Sequence, residues 1–485
     1  MIKAFLISIF FIFLLQYSFS QNTFKLILNG PSYDEGIAAF RTSEKAYRII
    51  GNTSSYGNGG SDIWVIALDS NADFLWQKTY GGSGNENATK AIINSKDEIY
   101  ITGSTTSNSQ SSVNIFVLAL TNSGVPIFDK SYGGSDWDFS NSIFFQNDST
   151  ILICGKTFNG PNAGFYNSFV MALNSHGDSL WTSFAGSINE QDNRDLIISQ
   201  EKKIIVVGNK IGNNNSIDTS FIKCLDSLGN LLWIKSLTPY LKGSLLSVAL
   251  NPDTTFTATG FHIDSTNSWR EPLLVKFDKN GNVLWYRDMQ QGDDSYFANI
   301  NAESSGIYNI AGMSTKYSSG LQGIFIAQFS HDGWMMNGNI AGWLLDDYAR
   351  TITFNILDST YLIVGTTYNF GVSMTGIIVL QTDYSMAFDT ATRFILVSSN
   401  TELNIKSIAL KIFPNPAHDF LNIQFGKSID EEFQIEIFSQ EGKIIKSNYY
   451  SNIDNKISVN DLKPGIYILK MKSKSYELVH KFIKF

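Results

Sequence analysis

Seven times along the chain a run of apolar residues ends on a glycine followed by small polar residues: YRIIGNTS, IYITGSTT, ILICGKTF, IIVVGNKI, FTATGFHI, YNIAGMST and YLIVGTTY. The glycines are Gly51, Gly103, Gly155, Gly208, Gly260, Gly312 and Gly365, so successive copies lie 52, 52, 53, 52, 52 and 53 residues apart. So constant a period marks a repeat architecture, and short apolar runs bounded by turn-forming residues read as strands. A second apolar run follows each glycine, from DIWVIALD in the first copy to TGIIVLQT in the last. Then come a turn and a third run, as in SNADFLWQK, NSHGDSLWT, DSLGNLLWI and DKNGNVLWY. The Gly-Asn and Gly-Asp pairs suit tight hairpins, because these residues reach positive φ at little cost. A Gly/Ser turn such as YGGSGNENA or YGGSDWDFS leads into a run of smaller residues, ATKAII, SNSIFF or DLIISQ. No segment carries a helical period. Four short strands per unit, repeated seven times, predict an all-β chain built around a seven-bladed β-propeller.

The turns also order the strands. The small-residue run should lie innermost, where strands crowd the axis; the glycine strand comes second and the run ending in Leu-Trp outermost. The large side chains Trp76, Trp181, Trp233 and Trp285 recur where neighbouring blades must be filled. Two segments compete to complete the seventh blade and close the ring: TFKLILNGPSYDEG at the start and SMAFDTA (Ser385 to Ala391) at the end. The unit resembles the propeller repeats of secreted bacterial proteins over roughly residues 24 to 395. It lacks the Gly-His and Trp-Asp pairs of WD40 repeats. Its Gly81-Gly82 and Gly133-Gly134 doublets precede the inner strand, unlike those of kelch repeats. NSHGDSLW is similar to an Asp-box with its Asp displaced, so sialidase-type activity is not carried over.

The chain has 485 residues, 16 % of them charged, with a net charge of −8. An acidic chain without a cluster of Lys and Arg is ill suited to nucleic acid, because phosphate neutralisation needs grouped cations. The N-terminus, MIKAFLISIFFIFLLQYSFSQ, joins Lys3 to an apolar run from Ala4 to Leu15 and to small residues at Ser18 and Ser20. This is the pattern of a secretory signal peptide over residues 1–20, too short to span a bilayer comfortably. No other segment is apolar enough to be a transmembrane span. Cys154 and Cys224 lie in strand-like runs without CxxC spacing and read as buried free thiols.

From Lys411 the repeat stops and the composition shifts. Residues 411–485 hold 11 Lys, no Arg and 9 Asp or Glu, a net +2, which leaves −10 for the rest. The runs LNIQF, FQIEIFSQEGKIIKS, NKISVNDL, GIYILKMKS and SYELVHKFIKF predict a small antiparallel β-sandwich, with a hairpin at Glu441-Gly442. KIFPNPAHDFLNIQF, FSQEGKII, LKPGIYILKM and HKFIKF, in this order, resemble the type A C-terminal sorting domain of the Por (type IX) secretion system. The motif positions are Pro414, Asn415, Pro416, Gly442, Gly465, Tyr467 and Lys484. The two prolines are expected to mark the start of the first strand. The resemblance implies a chain of Bacteroidota that reaches the periplasm, is handed by its tail to the type IX machinery, and is released or anchored at the cell surface. The organisation expected is thus a signal peptide (1–20), a propeller (21–395), a linker (396–410) and a sorting domain (411–485). Asp-Ser/Thr-apolar triplets, such as Asp389 to Ala391, resemble the O-glycosylation sequons of the same bacteria.

Chemistry is harder to find. No HExxH, Walker loop, GxSxG elbow or zinc spacing occurs, so no catalytic residue, metal or cofactor is assigned. His176 and His331 fall in hairpin turns and read as solvent-exposed. Acids recur in the turn before the inner strand: Asp34 and Glu35, Glu86, Asp136 and Asp138, Asp192, Asp293 and Asp294, Asp346 and Asp347. In a propeller these turns meet at one mouth. There they can bind a cation or cationic partner, or accept N–H bonds within their own turns, and regular recurrence favours the second. Irregular blades hold the candidate ligand-binding residues Asp136, Trp137 and Asp138, with Trp334, Trp343, Asp346 and Asp347; Trp269 and Arg270 stand in another. Aromatics beside acids suit sugars, although blade packing also calls for tryptophan. Two functions follow: a non-catalytic binding or adhesion module for an extracellular glycan or protein, or a polysaccharide-degrading hydrolase or lyase at a propeller mouth. The regularity of the repeats favours the first.

Overall fold

The computed structural model describes residues 23–107, 112–161, 165–184, 191–211, 217–237, 242–266, 268–289, 294–315, 322–341, 345–355, 358–368, 374–387, 392–396, 410–425, 432–439, 444–451, 456–472 and 477–485. The signal peptide lies outside them. Every regular element among them is a strand. Six four-stranded antiparallel sheets follow in chain order, each running from its first strand to its fourth; sheet 1, for example, comprises Asp34–Arg41, Tyr47–Thr53, Asp62–Leu68 and Phe74–Tyr80. The seventh is ordered Asp347–Asn355, Thr360–Thr367, Gly376–Thr382, Phe24–Asn29, Thr392–Leu396. The N-terminal strand therefore supplies the fourth strand of the last sheet, antiparallel to Gly376–Thr382, and Thr392–Leu396 adds a fifth in parallel. Of the two competing segments the first completes the sheet. Ser385 and Met386 instead lie in the turn after Gly376–Thr382, and residues 388–391 of that candidate lie outside the described residues.

Each first strand bulges at the same place. In sheet 1 Gly36 faces Gly51 and Ala38 faces Ile50, which leaves Ile37 unpaired, and an irregularity recurs at that position in all seven sheets. The bulge presses backbone against the recurrent glycine. A Cβ on Gly103, Gly155 or Gly365 would lie 2.0, 1.9 or 2.0 Å from the carbonyl oxygen of Asn87, Phe139 or Tyr348. The 52-to-53-residue glycine signal is thus the imprint of a bulge in the neighbouring strand.

Neighbouring sheets share apolar cores. Ile50, Val65 and Ile63 of sheet 1 pack with Ile99, Ile101 and Leu118 of sheet 2. Closure comes from a cluster of Tyr47, Trp64 and Ile66 of sheet 1 with Leu26, Val364 and Ile377 of sheet 7. At the rim an aromatic residue of one sheet covers the hairpin of the next. Trp181 lies on Gly229 (φ +86°) and Trp233 on Gly281 (φ +79°), where a Cβ would stand 2.6 and 2.5 Å from the ring. Only glycine combines that φ with that space. Cys154 and Cys224 are both buried and free.

The tail forms two sheets around its own core. One comprises Leu410–Phe413, Phe420–Phe425 and Lys456–Ser458; the other is ordered Ile444–Ser451, Glu432–Ser439, Gly465–Lys472, Glu477–Lys484. Leu421, Ile423, Ile435, Ile437, Leu469 and Phe482 fill the space between them. Pro414 and Pro416 do not open the first strand, as the sequence led us to expect. That strand, Leu410–Phe413, precedes them, and they form the bend that follows, with both X-Pro bonds cis. Likewise Leu396 and Leu410, the ends of the expected linker, both belong to strands.

Candidate functional site

The first strands of all sheets begin at the same mouth of the propeller, where the turns between sheets meet the loops joining second and third strands. Asp34, Glu86, Asp138 and Asp347 each open a first strand and are buried. The oxygens of Asp34 accept from the Thr53 hydroxyl at 2.5 Å, the Gly30 amide at 2.6 Å and the Ser55 hydroxyl at 2.9 Å. Asp138 accepts from Thr157, from the Gly134 amide at 3.0 Å and from Asn159 at 2.9 Å. Glu86 uses Thr105 and the Gly82 amide in the same way. Burial raises the carboxyls of Asp34 and Asp138 above their usual range, and these hydrogen bonds oppose it. The carboxylates of these three residues thus hold their own turns together.

The other candidates are scattered. Asp136 is exposed, and Trp137, 55 % exposed, stands beside it on the turn into sheet 3. Asp346 accepts from the Gln322 amide at 3.0 Å on the turn into sheet 7. Trp334, 65 % exposed, sits on a hairpin between third and fourth strands, at the opposite mouth, under the Arg287 guanidinium. Trp343 and Asp293 lie outside the described residues. His176 and His331 are exposed. The opposite mouth also holds a cavity of about 90 Å³ lined by Phe40, Tyr47, Ile93 and Phe354, which is too small for a sugar ring.

Two further features emerge from the structure, and the first was not visible in the sequence. Just past each bulge stands one residue per sheet: Ala38, Lys90, Ser142, Asp195, Ser247, Asn299 and Thr351. Asp195 accepts from Lys90 of sheet 2, from Ser142 of sheet 3 at 2.6 Å, and from the hydroxyl of Ser247 and the amide of Val248 in sheet 5, both at 3.0 Å. Asn299 continues the chain by donating to Ser247 at 3.2 Å and accepting from the Ile352 amide at 3.1 Å, and Thr351 donates to the Ile37 carbonyl at 3.3 Å. A polar belt thus ties the sheets across the axis.

The second feature lines the first mouth between sheets 5, 6, 7 and 1. Arg270 is bidentate to Asp294 (2.8 and 2.5 Å), and its guanidinium lies 4.7 Å from the centre of the Tyr296 ring. Arg350, the bulge residue of sheet 7, donates to Glu35 of sheet 1 at 2.5 Å and lies 6.0 Å from the Tyr348 ring. The paired guanidinium holds the Asp294 carboxyl below its usual range, while burial pushes the phenol of Tyr348 up to about 12. Trp269, 44 % exposed, adjoins Arg270 on the rim. Glu35, Trp269, Arg270 and Asp294 were conspicuous in the sequence, but Arg350, Tyr296 and Tyr348 were not. Arg350 is the unpaired residue of its bulge, whereas Tyr296 and Tyr348 pair in regular register near the start of their first strands.

The tail has a geometry of its own. The Asn415 side chain accepts from the Ile483 amide at 2.9 Å, the Ala417 amide donates to the Ile483 carbonyl at 2.7 Å, and the Phe485 amide donates to the Ala417 carbonyl at 3.0 Å. Gly465 faces Lys484 in register, and Tyr467 stacks on Phe482 at 5.6 Å. Asn415, Gly465 and Tyr467 therefore all meet the C-terminal strand, Asn415 at a residue 68 positions on; Gly442 lies outside the described residues. Residues 411–484 match the secretion system C-terminal sorting domain family. The sorting domain supports type IX export to the cell surface and implies contact with that machinery. No curated protein matches the chain. Among solved structures, PorZ, a surface component of the type IX system of Porphyromonas gingivalis, is 12 % identical, with 92 % of this chain and 59 % of that one covered and a TM-score of 0.39. The extracellular domain of a one component system from B. thetaiotaomicron is also 12 % identical, covering 93 % of this chain and 57 % of that one at a TM-score of 0.42. The β-propeller domain of the Trilobed protease from Pyrococcus furiosus is 8 % identical, covering 73 % and 97 % at a TM-score of 0.44. The chain thus spans less than two thirds of the first two. Among the described residues no helix is long and apolar enough to cross a membrane, and no group of His, Cys, Asp or Glu could hold a metal ion.

Proposed function

We propose that the chain is a Bacteroidota surface protein whose signal peptide opens the route to the periplasm and whose sorting domain carries a seven-bladed propeller outward as a non-catalytic binding module. The saturation of the mouth carboxylates supports the binding reading. Asp34, Glu86 and Asp138 take N–H and O–H donors of their own turns and the adjoining strands, whereas a general acid or base must offer a free oxygen to substrate. The polar belt around Asp195 supports it too, because it makes the disc a rigid platform for loops. The second reading, a hydrolase or lyase acting on polysaccharide, draws on the exposed acid Asp136 and the half-buried Asp346. Full-length protein recovered from the culture should retain a ligand from a panel of glycans and surface fractions without shortening any polymer. Release of sugar ends that stops in Asp136→Asn or Asp346→Asn would overturn the binding reading.

A further inference from the structure

Resting on the binding reading, we infer that the module's site is the charge-paired aromatic funnel at the first mouth, and that it takes a neutral glycan. Sheets 5, 6, 7 and 1 bring to this mouth two ion pairs, Arg270 with Asp294 and Arg350 with Glu35, with the Tyr296 ring against Arg270, the Tyr348 ring near Arg350 and Trp269 next to Arg270. None of the four charges is sealed. The side chains of Arg350 and Glu35 are 49 % and 30 % exposed, and those of Arg270 and Asp294 are 35 % and 34 % exposed. Carboxylates accept from hydroxyls and guanidinium groups donate to them, so two such pairs side by side match the alternating donors and acceptors of vicinal sugar hydroxyls. The aromatic faces match the apolar C–H face of a pyranose, and few polar groups among aromatic walls is the usual make-up of a small-ligand site.

Charge selects among glycans. The four ionised groups sum to zero, so the funnel has no excess cation for a uronate or sulfate. Around it, residues 1–410 carry 25 Lys and Arg (36 less 11) against 35 Asp and Glu (44 less 9). A polyanion approaching that surface is repelled, and a cationic peptide gains nothing specific in the funnel. Binding should therefore depend on stacking and hydroxyl pairing, and little on salt.

The test is affinity electrophoresis of the full-length protein through gels containing mannan, laminarin or galactan, and through gels containing polygalacturonate or heparin, at about 0.05 and 0.5 M salt. Retardation is expected in a neutral polymer at both salt concentrations. Trp269→Ala should weaken it roughly tenfold, as expected for one lost stacking face, and Glu35→Gln should weaken it as well. Trp334→Ala, at the opposite mouth, should change nothing. Retardation by polyanions alone, fading with salt, overturns the proposal, as does passage through every neutral gel. Neutral binding that survives Trp269→Ala and Glu35→Gln but is lost in Trp334→Ala also refutes the funnel, yet leaves the module a binder. Shortening of the polymers in the gel would instead remove the binding reading itself.

Discussion

Replacing Lys223 by Met should make the protein more stable at neutral pH and should abolish a rise of stability with alkali. Lys223 sits on the third strand of sheet 4, where the other sheets carry Ile66, Leu118, Met171, Val275, Ala327 and Leu380. Its ammonium lies fully buried between sheets 3 and 4, donating to the Ser168 hydroxyl at 2.9 Å, with the Phe221 ring centre 5.3 Å away. The ring favours the charged form, but burial outweighs it and lowers the amine to about 7. The unfolded lysine holds its proton to about pH 10.4. Between these values the unfolded chain binds more protons than the folded one, so stability climbs with pH and falls as pH drops towards the folded pKa. That lowering corresponds to roughly 4 to 5 kcal/mol, of which about three quarters is regained between pH 7 and pH 10. Unfolding a propeller of roughly 370 residues carries about 0.8 kcal/mol per kelvin of entropy. The Tm of the native protein should therefore rise by about 4 °C relative to Lys223→Met over that interval. Scans of both proteins across the range measure the difference and cancel the other groups that titrate in alkali. Parallel profiles would refute the reasoning.

Other outcomes follow from the belt, the rim and the tail. Asp195→Ala removes the acceptor shared by Lys90, Ser142, Ser247 and Val248 and should lower stability by about 3–5 kcal/mol in urea unfolding, with Lys90→Met added in the same chain restoring part of the loss. Gly281→Ala forces a side chain to φ +79° against the Trp233 ring and should cost at least about 1–3 kcal/mol; Asn280→Ala next to it serves as the tolerant control. Asn415→Ala releases the Ile483 amide and should reduce the protein reaching the surface, read by whole-cell protease shaving, while the Tm of the propeller stays unchanged.

Much of this architecture was legible because a repeat multiplies every weak signal. Seven glycines at one spacing located the second strands, and their partners followed in order. Closure was not legible, since Phe24–Asn29 and the segment after Gly376–Thr382 carry similar short apolar patterns; burial of Leu26, Ile27 and Leu28 in the last sheet decided between them. The funnel was half visible. Arg270 and Asp294 stand beside irregular loops, but Arg350 and Tyr348 sit in an ordinary strand, and nothing in the sequence marks Arg350 as the residue left unpaired by the bulge. In the tail the sorting motif could be read, but not its geometry. Nothing in Pro-Asn-Pro announces that Asn415 holds a strand 68 residues away.

The division of labour between propeller and tail is tested most directly by fractionating cells that express the full chain or the chain ending before Lys411. The full chain should be found on the surface or in the medium, and the shortened one, still folded and protease-resistant, inside the outer membrane. Equal export of the two would contradict the assignment of the tail as the address.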